Sequence, residues 1–284
     1  MSEPVPSADT LYVKFWGVRG SVSAAGSRFE EFGGNTPCVE VRCGERLFII
    51  DAGTGIIPLG LELAASGPPE IDIVLSHLHL DHVSGLPFFK PALLPDRHIR
   101  LHCGNLRGES AEEAFGRLFS PPLFPISLSQ LPGKVEHLGF KSGDVLTFHD
   151  GATTKTLPLN HPGGATGYRF DFRGRSVCYI SDIEHTVPWP PEDLRDFVAG
   201  TDLVIFDGMF SETEYIRCQG WGHSTWQKGV DLCRAAGVEA LAVFHLHPQH
   251  DDAYLHEEER KVSAAMPGAF LAREGRVLSF TTTS

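Results

Sequence analysis

Within six residues, His77-Leu78-His79-Leu80-Asp81-His82 offers three imidazoles and a carboxylate. Crowding ionisable side chains in this way is costly unless a counter-ion holds them, so the run reads as a metal-binding segment. Neutral imidazole with carboxylate suits zinc and also manganese or iron, and ligand type alone does not choose among them. If the backbone stays extended, alternation puts His77, His79 and Asp81 on one side and turns His82 toward an adjacent direction, which would begin two neighbouring sites. Three more polar residues stand just past apolar runs: His161 after Thr153–Leu159, Asp182 after Val177–Ser181, and His245 after Leu241–Phe244. Singly, His161 or His245 reads more readily as a hydrogen-bonded core histidine. With the first cluster granted, the same position past a strand makes all three ligand candidates. His98, His102, His137, His149 and His256 stand alone and need no special role.

The elements that must position these groups are short. Ile71–Ser76, immediately before His77, has the pattern of a buried strand, and α/β folds commonly place their sites at the carboxyl ends of strands. Similar strand-like runs are Leu11–Trp16, Val39–Arg42, Arg46–Asp51, Ile99–His102, Thr153–Leu159, Gly167–Phe172, Ser176–Ser181, Leu203–Phe206, Ala240–Phe244, Ala269–Arg273 and Val277–Phe280. Apolar residues three or four apart predict helices over Gly55–Ala65, Ser110–Phe119, Glu192–Val198, Ser224–Ala236 and Asp252–Ala265. With no repeat period and no low-complexity linker, the expected organisation is one mixed α/β domain over 11–284 behind a flexible tail at 1–10.

The least regular stretch is Asn105–Lys141, which contains Phe119-Ser120-Pro121-Pro122-Leu123-Phe124-Pro125-Ile126. Its prolines exclude a helix interior or central strand, yet the segment is apolar. It reads either as a loop packed on the core or as a lid or subunit contact beside the site, with Phe119 and Phe124 as candidates to stack on a base.

Composition narrows the partners. A chain of 284 residues with 42% apolar and 21% charged residues can bury a substantial core. No apolar run approaches the roughly 20 residues a membrane span requires. Residues 1–10 carry no basic stretch followed by an apolar one, so a soluble, cytoplasmic protein is expected. The six cysteines form no C-x-x-C pair and are expected to be free thiols. A formal charge of −12 opposes attraction to long nucleic acid and favours a small substrate.

At this point the sequence resembles the metallo-β-lactamase superfamily, and within it the phosphodiesterase branch of RNase Z-like nucleases and cyclic-nucleotide phosphodiesterases. The likeness covers nearly the whole chain. Phe15-Trp16-Gly17-Val18-Arg19-Gly20-Ser21 with Gly33-Gly34-Asn35-Thr36-Pro37-Cys38 is similar to the branch's opening strand and loop, and Asp51-Ala52-Gly53-Thr54-Gly55 to the turn before its metal motif. His161 in Asn160-His161-Pro162-Gly163-Gly164, Asp182 in Ser181-Asp182-Ile183-Glu184-His185 and His245 in Phe244-His245-Leu246-His247-Pro248 match the later ligand positions. The resemblance implies an αβ/βα sandwich of two mixed β-sheets flanked by helices. It also implies one divalent metal on His77, His79 and His161, a second on Asp81, His82 and His245, and Asp182 with a hydroxide bridging both. Zinc is favoured, with manganese or iron as alternatives. Gly222-His223-Ser224-Thr225 separates phosphodiesterases from acyl hydrolases of this fold. Ser224 or Thr225 can cap the following helix, but a cap does not account for His223, which the branch uses to protonate the leaving oxygen. Catalytic roles therefore fall to Asp81 and His223.

Other residues carry weaker signals. Glu184 and His185 read either as orienting the ligands or as a solvated turn. Asp51 is expected to hydrogen-bond around the metal loop. Arg19 reads as a substrate phosphate contact or a surface ion pair. His247, His250, Asp251 and Asp252 read as a capped helix entrance ahead of an extra metal site. The leading expectation is a homodimeric hydrolase of a small phosphodiester, with 3′,5′-cyclic nucleotides favoured. The alternatives are RNase Z-like processing of tRNA precursors, hydrolysis of a lactone, thioester or β-lactam, and a module that binds a nucleotide without turnover.

Overall fold

The computed structural model describes residues 7–149 and 151–282. In chain order the strands are β1 (Thr10–Gly17), β2 (Cys38–Cys43), β3 (Arg46–Ile50), β4 (Glu70–Leu75), β5 (His98–Cys103), β6 (Lys134–Gly139), β7 (Val145–Thr147), β8 (Thr153–Leu159), β9 (Ala165–Phe172), β10 (Arg175–Ile180), β11 (Leu203–Asp207), β12 (Leu241–Phe244), β13 (Ala269–Leu271) and β14 (Val277–Thr281). The helices are α1 (Ile56–Ser66), α2 (Leu80–Val83), α3 (Ala111–Leu118), α4 (Glu192–Val198), α5 (Glu212–Cys218), α6 (Trp226–Ala236) and α7 (Asp252–Ala265).

Two seven-stranded sheets result, in the orders β14-β1-β2-β3-β4-β5-β6 and β13-β12-β11-β10-β9-β8-β7. Each is mixed. In the first, β3 to β6 run parallel while β1 pairs antiparallel with β2 and β14. In the second, β10 to β13 are parallel and β7 to β9 antiparallel. The mixed-sheet sandwich that the resemblance implied is the architecture observed.

Strand alternation explains why the central runs are apolar throughout. In β3, Phe48 and Ile50 face the partner sheet and join Tyr168, Phe170 and Tyr179, while Leu47 and Ile49 face the helices and join Ile56, Leu59, Leu63 and Phe115. Both faces of the sheet are thus buried. The edges are harder to read from sequence. β6 and β7 lack a buried stripe, because Lys134–Gly139 is mostly half-buried and Val145–Thr147 buries only Leu146. Consequently β6 lies within the stretch expected to be irregular.

Of the expected tail at 1–10, residues 1–6 lie outside the described residues. From Ser7 the chain is held: Thr10 N donates to Ser7 O at 3.1 Å, and Thr282 N donates to Asp9 O at 2.9 Å. Among the described residues no helix is long and apolar enough to cross a membrane, and all six cysteines are free.

Candidate metal centre

Strands of both sheets end around one point. After β4 the chain bends at Ser76 and runs through His77 and Leu78 to His79, the N-cap residue of α2, and His82 N donates to His79 O at 3.0 Å. A helical turn, instead of the continued alternation expected, therefore aims Asp81 and His82. β8 delivers His161, β10 Asp182 and β12 His245. All seven side chains converge: His77, His79 and His161 form one group, Asp81, His82 and His245 another, and ligand atoms within each group lie within 4.8 Å of one another. Asp182 stands between them. Its Oδ1 is 3.9 Å from His77 Nε2, 3.7 Å from His161 Nε2 and 3.5 Å from His245 Nε2, and its Oδ2 is 3.2 Å from His82 Nε2.

These contacts are not satisfied by hydrogen bonds alone. His82 donates its Nδ1 proton to Asp51 Oδ2 at 2.8 Å and turns Nε2 toward Asp81 Oδ2 at 3.3 Å and Asp182 Oδ2 at 3.2 Å. His161 likewise donates Nδ1–H to Gly222 O at 2.8 Å and turns a bare Nε2 toward His79 Nδ1 at 3.1 Å. Among the described residues the Nε2 of buried His77 has no hydrogen-bond partner. Lone pairs converge stably only around a cation, and donation of the second ring N–H to a carboxylate or carbonyl is the usual arrangement of a metal-binding histidine. Ligands around a tetrahedral zinc stand about 3.4 Å apart. The separations of 3.3 Å from His82 Nε2 to His245 Nε2 and 3.2 Å from His245 Nε2 to Asp81 Oδ2 match that spacing.

Electrostatics favour the ligand protonation states of most of the set. Burial, reinforced by the neighbouring imidazoles, holds His77 well below the usual histidine range, and burial lowers His79 and His161 too. Burial alone would raise Asp81 and Asp182, but the surrounding histidines outweigh it and keep both carboxyls far down, hence ionised. His82 moves the other way, since Asp182, Asp81 and Asp51 overcome its desolvation. Asp51, Asp182 and His245 also adopt left-handed backbone conformations, with φ of 61°, 60° and 57°. Such strain at non-glycine residues persists where the surroundings over-determine it and clusters at functional sites.

The family model described as a Beta-lactamase superfamily domain matches residues 46–246. The chain belongs to that superfamily. Curated relatives include a Ribonuclease Z of Metallosphaera sedula, 26% identical over 216 residues that span 63% of this chain and 72% of that protein. A Ribonuclease Z of Porphyromonas gingivalis is 24% identical over 266 residues, spanning 77% of this chain and 85% of that one. Among solved structures, the metallo-beta-lactamase fold protein YhfI from Bacillus subtilis superposes with a TM-score of 0.71 at 19% identity, covering 96% of this chain and 100% of that protein. The superfamily fold implies divalent metal ions, and the histidine and aspartate cluster suited to them is in place.

Around the cluster, buried Asp51 accepts from Ser76 N, Tyr179 Oη and His82 Nδ1, so it fastens the metal loop as expected. Glu184 accepts from Gly220 N at 2.6 Å and Gly222 N at 2.9 Å, and so orients the loop whose Gly222 carbonyl receives His161. Glycine is required there: φ is +90°, and a Cβ would stand 2.3 Å from His161 Nδ1. His185 Nδ1 is 2.9 Å from Ser224 Oγ. Thr225 stands at the N-cap position of α6, which begins at Trp226, but its Oγ1 makes no capping bond.

One residue escaped the sequence reading. Asp207, fully buried at the end of β11, accepts from His223 Nδ1 at 2.8 Å. Its position directly after Leu203–Phe206 repeats the pattern of Asp182 and His245, and that was the signal available. Burial opposes protonation of His223, but the charge and hydrogen bond of Asp207, with Asp182 and Asp81 behind, push its pKa up to about 9.

The structure does not bring every candidate to the site. Arg19 is fully buried and donates to the carbonyls of Gly33, His247 and His250, so it is neither a surface ion pair nor within reach of a phosphate. The entrance to α7 is capped, with Asp251 accepting from Tyr254 N at 3.1 Å. Phe119 is 5% exposed and packs on Phe115 and Phe124 in the helix layer, and Phe124 is half-buried between Phe119 and Phe88. Neither lines the cavity beside the cluster. Phe119→Ala is therefore expected to destabilise the fold by about 3 kcal/mol, as core truncations of this size do. Activity should fall only with the folded fraction. A changed KM at unchanged melting temperature would restore a substrate contact.

Proposed function

We propose that the chain is a binuclear metal-dependent phosphodiesterase in which His77, His79 and His161 hold one ion, Asp81, His82 and His245 a second, and Asp182 contacts both. When bound, such ions supply Lewis acidity toward phosphoryl oxygens and lower the pKa of coordinated water toward neutrality. The observation that carries the phosphodiester reading is the His223 and Asp207 pair. His223 Nδ1 is 2.8 Å from Asp207 Oδ2 and 3.8 Å from Asp182 Oδ1, so a protonated imidazole is held at the rim of the cluster. It donates a proton from Nε2 to the departing alkoxide oxygen, and solvent restores it. Asp81, fixed by Ser21 N donating to Oδ2 at 2.7 Å and held ionised, serves as a ligand and as a hydrogen-bond acceptor for the attacking water.

Among phosphodiesters, we take RNA ahead of the 3′,5′-cyclic nucleotide that charge had favoured, because both curated relatives described above are named Ribonuclease Z. Net charge argues less strongly than it did, since phosphate meets the local field of a cleft and not the average of a surface. Zinc is the ion taken for the test, with manganese or iron as alternatives that the same imidazole and carboxylate set also suits, and pairing of two chains is part of the proposal. The test is a panel in which the zinc-loaded chain meets a precursor tRNA with a 3′ trailer, cyclic AMP, a lactone and a β-lactam. Cleavage at the trailer with the acyl compounds untouched supports the proposal. Turnover of the lactone or β-lactam alone removes it, and preference for cyclic AMP over the tRNA reverses the choice of substrate.

A pH profile follows from the same pair. His223 must be protonated to act, and its raised pKa keeps the proton below about 9 and loses it above. Turnover should thus fall on the alkaline side. Asp207→Asn removes the largest influence raising that pKa, so the alkaline limb is expected to move to lower pH with metal content unchanged. An alkaline limb that stays in place in Asp207→Asn would rule His223 out as the titrating acid.

A further inference from the structure

A cavity of about 200 Å³ opens directly beside His77 and His79 and is bounded by Asn105, Arg107, Arg117 and Gly163. Among the described residues no hydrogen bond or ion pair engages the Arg107 guanidinium, although the chain has 36 acidic residues against 24 lysines and arginines. The nearby acid Glu109 is occupied by Arg117. Arg107 also faces the metal cluster: a Cβ added to Gly163 would stand 3.8 Å from an Arg107 Nη and 3.9 Å from His79 Nε2. Gly163 itself has φ +92°, so a side chain is disfavoured in the gap between them.

The loop that carries Arg107 is tied down. Asn105 and Arg107 have left-handed backbones, φ 58° and 48°, and Asn105 Nδ2 donates to Thr166 Oγ1 at 2.7 Å, fixing the turn to β9. Backbone strain at an exposed arginine is consistent with a conformation imposed by the site. A second cavity of about 650 Å³ is also lined by Asn105 to Glu109 and adds Lys141, so Arg107 borders both cavities and another cation lines the second.

We infer that Arg107 forms a subsite for a second phosphate of the substrate, one ribose away from the phosphate at the metal cluster. This deepens the phosphodiester reading and rests on it: a chain with successive phosphates fills both positions, and a cyclic mononucleotide fills one. Guanidinium suits the task because its planar fork meets phosphate oxygens in pairs.

Calorimetric titration of the zinc-loaded chain with adenosine 3′,5′-bisphosphate and with adenosine 5′-monophosphate tests the subsite without turnover. The native chain should bind the bisphosphate more tightly. Arg107→Ala should weaken the bisphosphate by about tenfold, the scale of one partly exposed charge-assisted contact, and leave the monophosphate unchanged. Arg107→Lys should recover part of the loss. Equal weakening of both ligands, or no loss for the bisphosphate, overturns the inference, and a melting temperature matched to the native chain excludes misfolding. Hydrolysis of bis(p-nitrophenyl) phosphate by the native chain, run alongside, reports on the phosphodiesterase reading separately.

Discussion

Asp182→Ala is expected to deplete divalent metal from both ligand groups and to reduce kcat/KM by more than about 10⁴-fold, beyond what loss of a positioned acid brings. The reason is geometric. Among the described residues Asp182 is the one carboxylate with ion-pair contacts to histidines of both groups, at 3.9 and 3.7 Å on one side and 3.5 and 3.2 Å on the other. Its removal also takes away the carboxylate between His77 and His161 and leaves Asp81 and Asp51 as the acids beside His82 and His245, which adds a stability loss. Elemental analysis after reconstitution with zinc, beside a melting curve, separates the two effects. If Asp182→Ala folds and retains the metal content of the native chain, its place between the groups has no functional meaning.

His223→Ala, by contrast, is expected to leave metal content intact and slow turnover of an RNA or alkyl phosphodiester by about 10²–10⁴-fold, the usual contribution of a positioned acid. His223 belongs to neither of the two proposed ligand groups, and its partner is Asp207 at 2.8 Å. Because p-nitrophenolate departs with little need of a proton, the defect should shrink on bis(p-nitrophenyl) phosphate. The same loss on both substrates would argue that His223 organises the site and donates nothing.

Those expectations show what the chain discloses when read as a sequence. The convergence at the centre was legible because each polar residue concerned follows a buried strand: His77 follows β4, His161 β8, Asp182 β10 and His245 β12. Asp207 obeyed the same rule and was overlooked, since a lone aspartate after an apolar run is also an ordinary strand end. Alternation failed beyond His79, because nothing in Leu80-Asp81-His82-Val83 signals a single helical turn. The edge strands β6 and β7 were hidden by their mixed burial, which erases the periodicity that reveals a strand. Arg19 shows a different limit. Its guanidinium is buried by carbonyls from segments more than 200 residues away in the chain, at His247 and His250, and no local pattern encodes such partners. The proline-rich segment left two readings open, and the packing of Phe119 against Phe115 favours the core one.

The most direct measurement of the central claim is a metal titration of activity. The chain is stripped with a chelator, returned to metal-free buffer, and supplied with increasing zinc while hydrolysis of bis(p-nitrophenyl) phosphate is followed. Three histidines or histidine and aspartate ligands in each of two groups, with Asp182 between them, predict negligible activity without metal and a rise that saturates at two equivalents per chain. Undiminished hydrolysis by the stripped chain, or no hydrolysis at any zinc level, would contradict the account.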